Sequence, residues 1–552
     1  MPRPVDPITR SVVEHRLSSI VTEMGEAMLR TSYSQILNSS RDFSIGITDV
    51  EGRLVAQADH IPVHVGALPW ATRAVEERFR DVVPGDVFLM NDPYHGGSHL
   101  PDLTAFVPVF DGEARLFWTI VRAHQSDIGG STYGAYNPDA RDIWTEGLRV
   151  PPVRLAEAGR LREDLIDLLA LNTRNGRDFR GDLAAMVGAA TLGERRMRKL
   201  FAEFGGPVVV QAVDGLFDAA EQRARAIVAT WADGVYEGEA FLDDDGHGRE
   251  DIRIHARVTV AGSDVEVDLS ASDPQSTSFV NSSHANMQSA CAMAFAYLLD
   301  PDVPKNAGAF RPLTVKAREG TIVWSEPGRP VTMCTSHPSD EIVEAIVKAL
   351  SHACPERAMA GWGRRFRIAI QGEDPRTGRG FIWHMFHARP GGGASSGGDG
   401  WSSAGEWHTV GGLKFGSVEF AEVRFPLHFR RHELLPDSGG EGQFRGGLGA
   451  ALDLVVETAA PALANTAGDG IRYGAPGMRG GRDAAPHAYR LLSEGHAPRV
   501  LKTKETNIPV RPGDVFEVRS GGGGGWGPPE ARDPAARERD RAEGLVSGRG
   551  EG

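Results

Sequence analysis

Apolar residues recur at three- and four-residue steps through residues 7–36, at Ile8, Val12, Leu17, Ile20, Met24, Met28 and Leu29, which predicts a helix. The stretch Asp42-Phe43-Ser44-Ile45-Gly46-Ile47-Thr48-Asp49 then reads as a strand, Asp49-Val50-Glu51-Gly52 as a turn, and residues 53–58 as the return strand. A helix is expected over 70–80, ending before Pro84-Gly85-Asp86, and a short apolar strand over 87–90. Residues 103–110 and 116–123 form a hairpin about Asp111-Gly112-Glu113-Ala114.

Helical periodicity returns at 161–171, 182–204 and 213–233, with Asn172-Thr173-Arg174-Asn175-Gly176 separating the first two. Near 235 the period changes to two, as in Ile252-Arg253-Ile254-His255-Ala256-Arg257-Val258 and Val265-Glu266-Val267-Asp268-Leu269. Helices are expected at 287–299 and 340–352, strands at 418–424, 427–431 and 451–457, and a terminal helix with a loose end after 527. This pattern predicts a multidomain α+β protein with mixed sheets, helices in the N-terminal half and a β-rich C-terminal part. The expected units are 1–235, 236–414, 415–526 and a tail at 527–552. A length of 552 residues exceeds what one core holds, which supports several units.

Composition narrows the function. A net charge of -14 argues against nucleic-acid binding, because phosphate neutralisation needs a basic face. The three cysteines, Cys291, Cys334 and Cys354, lack CxxC spacing, so neither a disulfide framework nor a zinc knuckle is expected. The opening residues carry no hydrophobic run, and no window approaches 18 apolar residues, so neither a signal peptide nor a membrane span is expected. A reducing, cytoplasmic location follows. Glycine is abundant, at 67 residues, and concentrated at 391–400, 439–449 and 521–525. These runs are expected to be tight loops lining a site or an interface.

The chemistry concentrates in Asn91-Asp92-Pro93-Tyr94-His95-Gly96-Gly97-Ser98-His99-Leu100-Pro101-Asp102, with His124 at the end of the hairpin. If residue 110 pairs with 115, residue 101 faces 124, and His99 shares a face with His124. Asp102 has the wrong parity in a regular ladder. Pro101 cannot donate to a ladder, however, so the strand is expected to start after it and let His99, Asp102 and His124 converge. Imidazole and carboxylate ligands suit zinc or manganese first and iron next, and three protein ligands leave positions open for catalysis. The competing reading is a hydrogen-bonded pair of loop histidines. Asp42 and Asp92 are candidate further ligands or general bases.

Other candidates are weaker. His60 and His64 stand four apart, but Pro62 with Ile61 and Val63 argues against a helix, so they read as loop histidines, with a pocket-lining role the alternative. Cys334 in Met333-Cys334-Thr335-Ser336-His337 reads as a buried small hydrophobe ahead of a nucleophile. Ala394-Ser395-Ser396-Gly397-Gly398-Asp399-Gly400 offers only weak evidence of an anion cradle. No GxxxxGK[ST] is present, and the GxGxxG at Gly522, Gly524 and Gly527 lies in a glycine run before Pro528-Pro529. Any nucleotide is therefore expected on a partner.

The chain resembles the hydantoinase B/oxoprolinase family. The resemblance runs from Asp6-Pro7-Ile8 through Arg41-Asp42-Phe43-Ser44, His60-Ile61-Pro62-Val63-His64, the 91–102 segment and His124-Gln125-Ser126-Asp127-Ile128-Gly129-Gly130. It continues through Glu146-Gly147-Leu148-Arg149-Val150-Pro151-Pro152, Pro436-Asp437-Ser438-Gly439-Gly440-Glu441-Gly442 and Arg532-Asp533-Pro534. Asn175 stands where relatives often carry proline, and Ser336-His337-Pro338, Trp362 and Trp401 fall outside the pattern. The resemblance implies a divalent metal on His99, Asp102, His124 and Asp42. It also implies a hydantoinase A-type partner that binds ATP and phosphorylates a carbonyl-derived oxygen of the substrate, in a hetero-oligomer such as a heterotetramer.

The expected activity is ATP-dependent opening of a cyclic amide such as a hydantoin, lactam or oxoproline, with His124, Asp42 and Asp92 as catalytic candidates. The alternative is a component of an acetone- or acetophenone-type carboxylase. A non-catalytic scaffold is the third reading. Arg122, two residues before His124, is read as a solvated surface residue ahead of a phosphate contact.

Overall fold

The computed structural model describes residues 5–58, 60–414 and 416–547. The architecture is multidomain α+β, with helices and four sheets. The first sheet holds the 91–124 region. Its strands are β1 (Phe43–Asp49), β2 (Leu54–Ala58), β3 (Val87–Met90), β4 (Asp102–Asp111), β5 (Ala114–His124), β6 (Val153–Glu157) and β7 (Arg160–Leu161), in the order β2-β1-β5-β4-β3-β6-β7. Both faces are covered. Phe88, Met90, Phe106, Trp118 and Ile120 pack with Leu68, Ala71 and Val75 of the Leu68–Arg78 helix. The opposite face, with Ala105, Val107, Phe117 and Val121, joins the large core that includes Met24 and Met28 of the Pro7–Thr31 helix and Met186 and Ala189 of the Gly176–Phe204 helix.

The Pro7–Thr31 helix starts where Asp6 caps it, accepting from the Ile8 and Thr9 amides at 3.1 and 3.0 Å. It ends before the periodicity does, and a short second helix, Gln35–Asn38, carries the remainder. The second sheet contains the strands Gly234–Asp244, Glu250–Ala261, Asp264–Asp268 and Leu313–Lys316, backed by the helices His284–Leu298 and Ser339–Leu350.

The third and fourth sheets enclose a separate core. Phe366, Ile368, Ile370 and Trp383 of one meet Leu452, Leu454, Phe516 and Val518 of the other. Residues 418–424, expected as a strand, form a helix instead. Ser417 caps it by accepting from the Phe420 amide at 3.0 Å, and Val423 is exposed, so the apolar side chains there line no sheet face. The expected terminal helix is present at Pro534–Ala542.

The three glycine runs are loops, as expected, and buried parts of each meet the others. Gly447 donates to Gly392 O at 2.9 Å, Gly523 to Gly447 O at 2.9 Å, and Gly440 to Gly523 O at 2.9 Å. A Cβ on Gly523 would stand 2.0 Å from Gly392 O, and one on Gly391 2.0 Å from Gly447 O. At such contacts the backbones approach too closely for a side chain, which is the physical reason for glycine at those positions.

Candidate metal centre

The hairpin ladder differs from a regular one by a single residue. Phe110 pairs with Arg115 as expected, but Val109 pairs with Phe117 and the ladder skips Leu116. This bulge shifts every later pair, so Asp102 lies directly opposite His124, and Thr104 opposite Arg122. Opposed residues share a face, so Asp102, Thr104, Arg122 and His124 all project the same way. The parity objection to Asp102 is removed by Leu116, not by late entry of the strand.

The loop before β4 is stapled by one residue. Buried Asn91 donates from its side chain to Leu100 O at 2.6 Å and Leu148 O at 2.9 Å, and its Oδ1 accepts from the Val150 amide at 2.7 Å. Gly97 allows the tight return, since a Cβ there would stand 2.4 Å from Asn91 O.

These elements bring His99, Asp102 and His124 together, with potential ligand atoms all within 4.8 Å of one another. Asp102 Oδ1 lies 2.8 Å from His99 Nε2 and 3.1 Å from His124 Nδ1. Its Oδ2 accepts from Ser98 Oγ at 2.7 Å and stands 3.4 Å from His64 Nε2. Asp42 immediately precedes β1, and its backbone carbonyl accepts from the His124 amide at 3.0 Å. Its Oδ1 is 3.7 Å from His64 Nε2, so His64 sits between the two carboxylates.

The proton positions are informative. His99 Nδ1 lies 2.6 Å from Thr332 O, and a carbonyl only accepts, so that nitrogen carries the proton. His99 Nε2 lies 2.8 Å from Asp102 Oδ1 and is buried without a hydrogen-bond partner. A nitrogen and a carboxylate oxygen so placed can share a cation. His124 Nε2 is buried without a hydrogen-bond partner.

Burial lowers the pKa of His64 to about 4 and also lowers that of His124, with the neighbouring carboxylates opposing it. Both imidazoles are therefore neutral near pH 7. Burial pushes Asp102 and Asp42 the other way, but the histidines around Asp102, and His124, His64 and Arg367 around Asp42, hold both carboxyls below their ordinary range. Ionised carboxylates beside neutral imidazoles are the protonation state a divalent cation requires, and the mixed N/O set suits zinc, manganese or iron. The residues present fit such an ion.

Glu146 supports this group from behind. Its two oxygens accept from the Val331 and Thr332 amides at 2.8 and 2.9 Å, and Thr332 is the residue whose carbonyl orients His99. Burial raises its pKa to about 7 against those two donors.

The remaining candidates fall as follows. Asp92 accepts from the Tyr94 amide at 3.1 Å, His95 Nδ1 lies 2.8 Å away and Arg149 Nε 3.0 Å away, so its carboxylate is engaged in holding the loop and by no member of the cluster. Pro62 does not prevent a helix: it starts one, Pro62–Gly66, as a first-turn proline can, and this turns His64 inward. Arg122 is not solvated; it is fully buried, donating to Thr104 Oγ1 at 2.8 Å and His64 O at 3.1 Å. Cys334 is buried, and burial pushes its thiol well above the ordinary range, so it is no nucleophile.

A second buried group, His337, Glu341 and Asp469, has a different character. His337 Nδ1 lies 3.1 Å from Glu341, His337 Nε2 lies 3.2 Å from Arg365 O, and Arg364 Nε lies 2.9 Å from Glu341. A guanidinium already occupies the place a cation would take.

The fold and the cluster together define a multi-sheet α+β protein with a buried His–Asp–His centre of metal-ligand type. The chain belongs to the hydantoinase B/oxoprolinase family, whose model matches residues 6–529. It is 35% identical to the beta subunit of caprolactamase from Pseudomonas jessenii over 98% of this chain and 94% of that one. It is 29% identical to the B-type subunit of a putative D-/L-hydantoinase from Pseudomonas sp. (strain NS671) over 98% and 93%. An ATP-dependent caprolactamase from Pseudomonas jessenii superposes with a TM-score of 0.91 at 34% identity, covering 99% of this chain and 95% of that one. A nucleotide-free acetone carboxylase shares the fold, with a TM-score of 0.87 at 19% identity, over 99% and 78%. Among the described residues, no single helix is long and apolar enough to cross a membrane.

Proposed function

We propose that this chain is the metal-dependent catalytic subunit of an ATP-dependent cyclic amidase, acting with an ATP-binding, hydantoinase A-type partner. The observation that carries this reading is the convergence of His99, Asp102 and His124, with ligand atoms within 4.8 Å of one another and the Nε2 of both histidines buried without a hydrogen-bond partner. The names of the relatives, components of a caprolactamase and a hydantoinase, supply the substrate class and the partner.

His99, Asp102 and His124 would hold the ion, with Asp42 as an additional ligand or as the base. Once bound, the ion supplies Lewis acidity that brings water toward ionisation near neutral pH. Asp42, ionised beside the cluster, would accept a proton from water and return it to the departing ring nitrogen, with His64 between it and Asp102 to orient both carboxylates. Ser98 and Glu146 keep Asp102 and His99 in place. An unactivated amide resists attack, so phosphorylation by the partner supplies the better electrophile.

The test is ring opening of caprolactam, hydantoin and 5-oxoproline by the metal-loaded assembly of this chain with its ATP-binding partner. ATP-dependent appearance of the open-chain product supports the reading. No product from any cyclic amide, or incorporation of labelled bicarbonate into a new carboxylate, would overturn it; the second result would establish the carboxylase alternative.

A further inference from the structure

Asp42 faces a second set of charges besides the histidines. Arg365 directly precedes the strand Phe366–Asp374 and Arg367 lies within it, so the two share one face. Both are buried, 3% and 8% exposed. Both guanidiniums stack on the Phe386 ring, at 5.3 and 5.1 Å from its centroid. Arg367 is further fixed by Tyr136, donating to its hydroxyl at 2.6 Å, and its Nη2 stops 3.9 Å from Asp42 Oδ2. Arg365 reaches His408 Nε2 at 3.0 Å and stands 3.7 Å from Glu406. The Nε–H of each arginine is buried without an acceptor.

The charge balance is incomplete. Arg365 and Arg389 lie 3.7 and 3.5 Å from Glu406, and Arg367 is close enough to lower its pKa. If Asp42 and Asp102 neutralise a divalent ion, Arg365 and Arg367 share Glu406 as the carboxylate on this side, which leaves positive charge in excess. Buried charge without counter-charge is costly and is retained where a ligand supplies it. Neither arginine lines the nearby cavity of about 260 Å³, whose walls include Ser126, Asn175, Arg379, His384 and Arg424. His384 packs edge-on against Tyr136 at 5.4 Å, which links the cavity to the arginines.

We propose that Arg365 and Arg367 form an anion subsite that receives the phosphoryl group of the activated substrate next to the His99–Asp102–His124 centre. This rests on the amidase reading above, in which the substrate arrives phosphorylated. The planar guanidinium fork matches phosphate oxygens, and the phosphoryl oxygens would balance the excess positive charge. The phosphoryl group then anchors the substrate with its carbon toward Asp42. No covalent step is assigned to the arginines; they position the substrate.

The test is calorimetric binding of inorganic phosphate, with acetate as the comparison anion, to the metal-loaded chain and to Arg367→Gln and Arg367→Lys. Wild type should bind phosphate at least about tenfold more tightly than acetate, and Arg367→Gln should weaken phosphate by about tenfold or more at unchanged metal content. Arg367→Lys, which keeps the charge, should fall between. Because a buried substitution can disturb folding, wild-type crystals soaked in tungstate give an independent readout, with anomalous density expected against both guanidiniums. Unchanged phosphate affinity in Arg367→Gln, equal affinity for acetate, or tungstate elsewhere would overturn the subsite. Ring opening by the assembly is measured separately. Turnover without this anion site sinks the subsite alone, and anion binding without turnover of any amide sinks the amidase reading alone.

Discussion

Asp102 lies directly across the hairpin from His124, and it does so because the ladder skips Leu116. One inserted residue converts a pairing of odd with even positions into even with even. The carboxylate then meets the imidazole at 3.1 Å instead of facing the opposite side of the sheet. The centre is thus specified by a bulge on the far end of the same hairpin.

Asp102 is the hub of the cluster, so Asp102→Asn should remove the ion while leaving the fold. An amide carries no charge for an ion and cannot match the carboxylate that accepts from His124 Nδ1 and Ser98 Oγ. Plasma mass spectrometry should find a metal stoichiometric with the wild-type chain and essentially none in the variant, an affinity loss beyond about a hundredfold.

His64 touches both carboxylates but stands outside the group formed by His99, Asp102 and His124. His64→Ala should therefore keep its metal and lose turnover by about ten- to a hundredfold, as expected when the carboxylates lose the group that orients them. Metal content and kcat measured on the same preparation separate this role from ligation.

Glu146 holds the Thr332 segment that orients His99. Glu146→Gln presents an amide donor toward a backbone donor, so metal affinity should fall about ten- to a hundredfold. Competition with a chelator reads that change.

Glu146 also predicts a pH dependence. Its folded-state pKa is raised to about 7 from 4.5, so the folded protein binds the proton more tightly than the unfolded chain. Its contribution to stability is complete below about pH 4.5 and is lost as pH rises through about 7. The Tm of the wild type should decline between about pH 5 and 8 more steeply than that of Glu146→Gln, a comparison differential scanning fluorimetry makes directly.

The glycine contacts predict a sharp positional contrast. Gly523→Ala places a methyl 2.0 Å from Gly392 O, whereas Gly398 has open space around its Cβ position. The first should cost about 3 kcal/mol or more and the second about 0.5 kcal/mol or less. Chemical denaturation of the two variants provides the comparison.

Much of the centre was legible because its residues are close in sequence. His99, Asp102 and His124 follow from a short hairpin, whose turn and strands read correctly from alternation. What was illegible depended on distant contacts. The bulge at Leu116 has no local signature. His64 enters because Pro62 starts a helix turn, and its partners, Asp42 and Asp102, lie on other elements. Arg122 reads as a surface residue until Thr104 and the His64 carbonyl are seen to satisfy it. Residues 418–424 read as a strand from Val418, Phe420 and Val423, but the Ser417 cap prevailed at an exposed position. The glycine runs read as tight loops lining a site or an interface, and composition cannot reveal that the three meet one another.

That meeting sets an order of assembly. The seven-stranded sheet is built mainly from neighbours in the chain and can close as they emerge. Gly363 donates to Gly391 O at 3.0 Å, Gly391 to Gly521 O at 3.1 Å, and Gly524 to Gly361 O at 2.8 Å. The backbone leading into Arg364-Arg365-Phe366-Arg367 is therefore clamped by a glycine run made much later in the chain. Contacts of such separation form slowly. The wall of arginines therefore leans on a segment near the end of the chain, whereas His99, Asp102, His124 and the supporting Thr332 all lie within the first 332 residues.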